Sequence, residues 1–168
     1  MQTFLPYADF AASAAALDDR RLGKQRVEAL QIIRALTRET YGWKHHPAVL
    51  MWAGHERALA SYGMAICAEW VTRGKADTCA ATMAADLALA GLPAPRPQST
   101  LRSDTELPSW LGDERLHRSH QASLVRKDPA FYAPLFPGVD PELPYFWPSQ
   151  QPIQQQRWRV RAGITRRG

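Results

Sequence analysis

Residues 17–36 read LDDRRLGKQRVEALQIIRAL, and this stretch organises the predicted fold. At about 100° per residue, its apolar side chains recur on one stripe, which is typical of an amphipathic helix. The stripe contains Leu22, Ala29, Leu30, Ile33 and Leu36. We therefore expect a long helix here, with Asp18 or Asp19 at its N-cap.

A second side of this helix carries Arg21, Lys24, Gln25 and Glu28, a single carboxylate among cations and an amide. One interpretation is a solvated face, in which Lys24 and Glu28 pair across one turn for about 0.2–0.5 kcal/mol. The other is an anion-binding surface that carries one acid for proton transfer. Arg26 favours the second interpretation, because it projects from the apolar stripe and must snorkel, pair or reach a ligand.

The composition, 168 residues with 45% hydrophobic and 22% charged side chains, predicts one globular domain that needs no disulfides. Cys67 and Cys79 are expected to be free thiols in a reducing compartment. The sequence shows no signal-peptide pattern and no apolar run of membrane length. We therefore expect a cytoplasmic monomer that has no membrane partner.

The formal charge of +5 is concentrated at the end of the chain. Residues 150–168 contain five arginines and no acidic residue, so the rest of the chain is close to neutral. Such a tail either contacts phosphate-rich partners or acts as a disordered solubilising end. We expect a helical domain at residues 1–149 and a basic tail at 150–168.

Helical patterns recur along the chain, and strand alternation is absent from the sequence. The predicted helices are residues 10–17, 48–73, 77–90 and 108–127, with one more turn from Asp128 through Tyr132. Residues 93–105 are expected to form a loop. The predicted fold is all-α, a compact single-domain helical bundle with long irregular loops and a proline-rich C-terminal segment.

Five histidines raise the question of a metal site. His117 and His120 are three residues apart on one helical face, and His46 or His55 would complete a three-histidine site. A metal-dependent hydrolase or transferase is therefore an alternative. Surface or core histidines with ordinary hydrogen bonds are the preferred explanation of this spacing, and our preferred interpretation has no metal and no cofactor.

A second basic cluster lies on the helix predicted at 108–127, where Trp110 and Phe131 are nearby for base stacking. One interpretation of this cluster is a solvated helix face. The other is a basic surface that, together with the Arg21–Glu28 face, closes on a polyanion. A non-catalytic nucleic-acid-binding protein is thus a further alternative. The candidate DNA-binding residues are Arg21, Lys24, Gln25, Arg26, His46, Arg118, His120, Gln121, Arg126 and Lys127.

Four segments together resemble a known family. They are DDRRLGKQRVEAL at 18–30, HHPAVLMWAGHERAL at 45–59, AEWVTRG at 68–74 and HRSHQASLVRKDPAFYAPLF at 117–136. Their order and spacing are similar to those of the pyrimidine dimer DNA glycosylases, the phage endonuclease V type. The resemblance covers most of residues 17–73 and 117–136.

This resemblance implies a DNA-repair glycosylase with abasic lyase activity on damaged or modified pyrimidines in double-stranded DNA. The family's catalytic glutamate would be Glu28. Its nucleophile is the α-amine of the mature chain, which here would belong to Met1 or, after loss of that residue, to Gln2. Arg21, Lys24 and Arg26 would hold the flanking phosphates.

Overall fold

Residues 1–148 are described by the computed structural model, and they contain eight helices and no strand. The helices are α1 (Phe10–Ala15), α2 (Asp19–Thr37), α3 (Pro47–Leu50), α4 (Glu56–Thr72), α5 (Cys79–Leu89), α6 (Gln98–Ser103), α7 (Glu114–Lys127) and α8 (Pro129–Tyr132). The predicted all-α class is confirmed. The basic tail predicted at 150–168 lies outside the described residues.

Helix α2 packs against α3, α4 and α5, while α1 and α6 pack against α4. The N-cap of α2 is Asp18, whose side chain accepts the Arg21 N–H at 3.0 Å. Asp19 in its first turn and Arg34 in its last turn complement the helix dipole. The predicted apolar stripe is buried, apart from Leu36 at its end, which is half-buried.

Helices α4 and α5 pack against α2, and two glycines allow the close approach. A Cβ added to Gly63 of α4 would lie 2.6 Å from Sδ of Met83 on α5 and 3.4 Å from Cβ of Ala29 on α2. A Cβ on Gly23 would lie 3.0 Å from the Trp70 ring of α4. Gly23, inside α2, therefore marks the close contact with the Trp70 side chain of α4.

The helix predicted at 48–73 is interrupted in the structure. Helix α3 ends at Leu50 and α4 begins at Glu56. Gly54, between them, has a φ of +77°. A residue with that backbone angle cannot continue a right-handed helix, and glycine adopts it without a Cβ penalty.

Two further boundaries differ from the sequence prediction. The segment 93–105, predicted to be a loop, contains α6. Helix α7 begins at Glu114, later than predicted, because Gly112 has a φ of +102° and the Asp113 side chain caps the helix by accepting the Arg115 N–H.

The proline-rich segment after α8 lies along α7. Arg126 of α7 donates to the carbonyls of Pro141 and Leu143, the latter at 2.8 Å. The Phe146 N–H donates to Oγ of Ser119 at 3.1 Å, and the Phe146 ring is completely buried. These contacts hold residues 141–147 against α7.

Both cysteines are free, with Cys67 buried and Cys79 half-buried, as predicted. Burial raises the pKa of both thiols, so neither has the character of a reactive cysteine. Among residues 1–148, no helix combines the length and apolar composition that a bilayer crossing requires.

Candidate active site

A cleft of about 550 Å³ opens between the N-terminal segment, the first half of α2 and the C-terminal segment. Its lining includes Met1, Gln2, Arg21, Lys24, Gln25, Glu28, His46 and Lys127, all of which are candidate residues from the sequence. It also includes Phe4, Arg20, Tyr145 and Trp147, which the sequence analysis did not select. The volume is within the usual range for small-ligand sites.

The start of the chain lies directly against Glu28. The Met1 amine nitrogen is 4.0 Å from Oε1 of Glu28, and the Gln2 N–H donates to Oε2 at 3.2 Å. The Glu28 side chain is only 8% exposed. The amine and the carboxylate therefore face each other at the inner wall of the cleft.

Gln25 joins the N-terminal segment to the acid. Its Nε2 donates to Oε2 of Glu28 at 2.8 Å, and its Oε1 accepts the Phe4 N–H at 2.8 Å. The Tyr62 hydroxyl of α4 lies 2.8 Å from the same Oε1. One buried amide therefore fixes both the glutamate and the chain that precedes the first helix.

Helix α7 fixes the next part of the N-terminal segment through two histidines. Nδ1 of His120 accepts the Leu5 N–H at 2.9 Å, and Nδ1 of His117 donates to the Leu5 carbonyl at 2.8 Å. Nε2 of His117 accepts the Gly112 N–H at 3.0 Å, which fixes its tautomer. Burial lowers the pKa of both rings, that of His120 to about 3, so both are neutral at pH 7.

Exposed cations surround the buried acid. Lys24 has 72% of its side chain exposed, with Nζ 3.5 Å from Oε1 of Glu28. Arg20 and Lys127 are exposed at the cleft and form no ion pair within the part of the chain that the structure describes. Arg21 is instead committed to Asp18 and lies 3.6 Å from Asp128. Arg20, Lys24 and Lys127 are thus the cations available for an anionic ligand.

The remaining part of the lining is aromatic. The rings of Tyr145 and Trp147 are 5.4 Å apart, and His46 lies edge-on to Trp147 at 6.3 Å. Nδ1 of His46 accepts the Ala48 N–H at 3.1 Å and so caps α3. Burial, together with the nearby N-terminal charge, lowers the pKa of His46, which favours the neutral ring.

Several sequence candidates occupy other positions. Arg26 pairs with Asp77 at 2.5 Å, and its guanidinium lies 4.2 Å from the centre of the Trp70 ring. Arg118 lies 3.6 Å from the Glu114 carboxylate on its own helix. The structure therefore does not bring Arg26 and Arg118 to the cleft.

The other α7 candidates bind neighbouring segments of the chain. His120 is completely buried against Leu5, and Gln121 donates to the Pro6 carbonyl at 2.9 Å. Arg126 holds the C-terminal segment, as described above. Of the α7 residues predicted to bind DNA, Lys127 alone lines the cleft.

A histidine metal site finds no support within residues 1–148. No group of three or more His, Cys, Asp or Glu side chains there is placed to hold a metal ion. His46, His117 and His120 each bond to backbone groups through at least one ring nitrogen. The alternative of a metal-dependent hydrolase or transferase loses its proposed ligand set.

The sequence gives a signal for some of the cleft residues that the sequence analysis did not select, but not for others. Arg20 is four residues before Lys24 and eight before Glu28, so it shares their helical face and could have been included. Tyr145 and Trp147 flank the buried Phe146 in a segment without helical period. Only their tertiary position beside α2 shows that they belong to the site.

An amine beside a carboxylate in a cationic cleft is suited to imine-forming chemistry on a phosphate-bearing substrate. The family model for pyrimidine dimer DNA glycosylase matches residues 1–83, and no curated protein or solved structure matches the chain. The N-terminal half of the chain, which contains Glu28 and the segment that contacts it, therefore belongs to the pyrimidine dimer DNA glycosylase family. The match supports a DNA-repair glycosylase.

Proposed function

We propose that this protein is a bifunctional DNA glycosylase and abasic-site lyase that acts on damaged or modified pyrimidines in double-stranded DNA. The observation that carries the proposal is the distance of 4.0 Å between the chain's first nitrogen and the Glu28 carboxylate. The family match at residues 1–83 covers both groups. The cations at the cleft supply the contacts that a sugar–phosphate strand requires.

In the proposed reaction, the neutral amine attacks C1′ of the target nucleoside, and the C1′–N glycosidic bond breaks. The base leaves with the electron pair of that bond and acquires a proton. Loss of a proton from the amine nitrogen and opening of the sugar ring give a Schiff base. Abstraction of a C2′ proton then expels the 3′ phosphate by β-elimination and cleaves the strand.

Glu28 has two roles in this scheme. Its carboxylate stabilises the positive charge that develops on the sugar, and it accepts and returns protons during imine formation. The hydrogen bond from Gln25 leaves Oε1 facing the amine while Oε2 is held. A buried, oriented carboxylate needs little reorganisation during the reaction.

The position of the nucleophile is compatible with either first residue. Met1 carries the amine in the structure, 4.0 Å from Oε1 of Glu28. Removal of Met1 would expose the Gln2 nitrogen as the amine, at a position 3.2 Å from Oε2. Both positions face the same acid, so the proposal requires a free amine at one of them.

Borohydride trapping on duplex DNA with a single abasic site tests this function. We expect a covalent adduct that peptide mapping assigns to the first residue, and we expect acetylation of the amine to abolish it. Glu28→Gln should lower the rate by about 10²–10⁴-fold, the usual contribution of acid–base catalysis, with DNA affinity largely retained.

The matched control is Glu114→Gln, which neutralises an exposed carboxylate on α7 outside the cleft. It should form the adduct at the wild-type rate. A wild-type rate for Glu28→Gln would contradict the role of the glutamate. Base release without an adduct would contradict the lyase step, and DNA binding without either product would favour a non-catalytic binding protein.

A further inference from the structure

Tyr62 is a completely buried tyrosine of α4 whose hydroxyl lies beside the site without lining the cleft. The hydroxyl oxygen is 2.8 Å from Oε1 of Gln25 and 3.0 Å from the Phe4 carbonyl oxygen. Both of these oxygens are acceptors, so the hydroxyl is the donor. Burial, together with the nearby Glu28 charge, holds the pKa of Tyr62 well above its usual value. The hydroxyl therefore keeps its proton at neutral pH and remains a donor to the Gln25 carboxamide.

The Gln25 carboxamide has one orientation that satisfies its partners. Its Oε1 accepts the Phe4 N–H at 2.8 Å as well as the Tyr62 hydroxyl, and its Nε2 donates to Oε2 of Glu28 at 2.8 Å. Exchanging the positions of Oε1 and Nε2 would place two donors together at Phe4 and two acceptors together at Glu28. Gln25 is also only 1% exposed, so its amide is committed to these internal partners and is not free to contact DNA.

As a result, the two oxygens of the Glu28 carboxylate have different surroundings. Oε2 accepts two N–H groups, one from the Gln25 amide and one from the Gln2 backbone at 3.2 Å. Oε1 instead faces two amines, with the Met1 nitrogen at 4.0 Å and Nζ of Lys24 at 3.5 Å. A neutral amine can accept a proton from Oε1 and return it, whereas Oε2 meets only N–H donors. Proton exchange at this carboxyl is therefore directed to Oε1.

We propose that Tyr62 and Gln25 are positioning residues for the imine chemistry at Glu28. Tyr62 orients the carboxamide, the carboxamide occupies Oε2, and proton transfer takes place at Oε1. This assignment rests on the function proposed above and deepens it, because it replaces the DNA-binding role predicted for Gln25 and adds a residue outside the cleft. Both side chains should affect the rate of chemistry at a bound abasic site and leave DNA affinity unchanged.

The first experiment separates chemistry from binding. It measures single-turnover borohydride trapping on duplex DNA with one abasic site, and it measures affinity by fluorescence anisotropy. Gln25→Met keeps a side chain of similar length and removes the amide. We expect the trapping rate to fall by about 10–100-fold, the effect of a misplaced reacting group, with an unchanged dissociation constant.

Tyr62→Phe removes a single hydroxyl and should cause a smaller fall in the trapping rate, because the Phe4 N–H still holds the Gln25 amide. Tyr132→Phe is the matched control. It removes an equally buried hydroxyl, which donates to Asp18 and has no contact with Glu28. Its trapping rate should equal that of wild type.

Gln25→Glu gives a readout that a purely structural role would not change. Two carboxyl groups at hydrogen-bond distance share one proton and hold it to a higher pH than one carboxyl alone. With that proton present, the new side chain still donates to Oε2 of Glu28, and without it the two charges repel. The rate of this variant relative to wild type should therefore be highest at mildly acidic pH and fall as the pH rises. Gln25→Met, which has no such proton, should give a ratio that does not depend on pH.

The titratable groups that face Glu28 are the Met1 amine, Lys24, Tyr62 and, from the same cleft, His46. All four are present in both wild type and Gln25→Glu, so comparing the two as a ratio isolates the added carboxyl.

Gln98→Glu supplies the control for the added carboxyl. Gln98 resembles Gln25 because its Oε1 accepts the Phe10 N–H at 2.8 Å and its Nε2 donates to the Ala8 carbonyl at 2.8 Å. It lies outside the cleft and contacts no carboxylate through its amide. The rate of Gln98→Glu relative to wild type should not vary with pH.

The outcomes separate the positioning role from the function on which it rests. A wild-type trapping rate for Gln25→Met would overturn the role, and so would a loss of affinity large enough to explain a slower rate. A ratio independent of pH for Gln25→Glu would overturn the placement of the proton, whether or not the variant is less stable. Absence of any wild-type adduct would overturn the proposed lyase itself, and the positioning role with it.

Discussion

At the scale of single residues, buried polar side chains position the candidate site through hydrogen bonds to backbone groups of the N-terminal segment. His120 is the extreme case, since it is completely buried with Nδ1 bonded to the Leu5 N–H. Its Nε2 has no partner within residues 1–148. Protonation would place a charge in the core, which is why burial lowers the pKa of this ring to about 3.

This burial makes the stability of the protein depend on pH. The unfolded chain protonates His120 below about pH 6.5, whereas the folded chain does so near pH 3, so the unfolded state binds more protons between these values. The free energy of unfolding should therefore fall as the pH falls through this window, by at most about 1.4 kcal/mol per pH unit for one group. His120→Asn, which retains an acceptor for Leu5, should reduce the slope.

Urea unfolding at several pH values from 7.5 down to 4.5 measures that slope. His117, whose pKa is also lowered, contributes in the same window, so some slope should remain in the variant. The surface residue His45 supplies the control, His45→Asn, with an unchanged slope expected. Identical slopes for wild type and His120→Asn would show that this histidine does not limit stability in acid.

Single residues also show how far the sequence predicts the site. The spacing of Arg21, Lys24, Gln25 and Glu28 correctly predicts one polar face, because helix geometry is local. The position of Arg26 depends on Asp77, which is 51 residues away. Helical periodicity contains no information about such a partner, so the sequence did not predict that the guanidinium turns away from the cleft.

At the scale of elements, the helix ends follow local chemistry where a cap is present. The sequence predicts Asp18 or Asp19 as the N-cap of the long helix, and Asp18 caps α2 in the structure. The break at Gly54 was missed because one glycine within a helical pattern is often tolerated. The short α6 was missed because it lies among prolines, where propensity gives little support to a helix.

Packing between elements gives a sharper prediction at Gly63. Alanine there gains up to about 1 kcal/mol in helix propensity, but its Cβ would lie 2.6 Å from Sδ of Met83. Met83 is completely buried, so its thioether end would have to repack within the core. We expect Gly63→Ala to lower the free energy of unfolding by about 1–3 kcal/mol, the usual cost of overpacking, as measured by chemical denaturation.

A second substitution tests the cause of that loss. Shortening Met83 to valine in the Gly63→Ala background should recover part of the stability, so that the two changes are non-additive. Gly42→Ala is the matched control, because nothing lies within 4 Å of a Cβ built at Gly42, and it should change stability by less than about 0.5 kcal/mol. A neutral Gly63→Ala would mean that α4 and α5 move apart at little cost.

At the scale of the whole molecule, the cleft is assembled from two parts of the chain. The family match ends at residue 83, and it contains the N-terminal segment, α2 and His46. Lys127, Tyr145 and Trp147 come from beyond it and lie against the same cleft. The acid and amine of the proposed chemistry thus lie within the matched residues, while the later part of the chain completes the lining of the cleft.

The same assembly predicts how DNA binding depends on salt. Each phosphate contact releases counterions, so log K falls with log salt concentration by about 0.9 per contact. Arg20 and Lys127 line the cleft from different halves of the chain, exposed and without an ion pair within residues 1–148. Arg20→Gln and Lys127→Gln should each reduce the slope by about 0.9, and the double variant by about 1.8. Fluorescence anisotropy with labelled duplex at 50–200 mM salt, a roughly fourfold range, resolves such differences.

Arg102→Gln removes one positive charge from the exposed surface of α6, outside the cleft. Its slope should equal that of wild type if DNA lies along the cleft. An equal reduction by all three substitutions would instead mean that DNA responds to net charge alone.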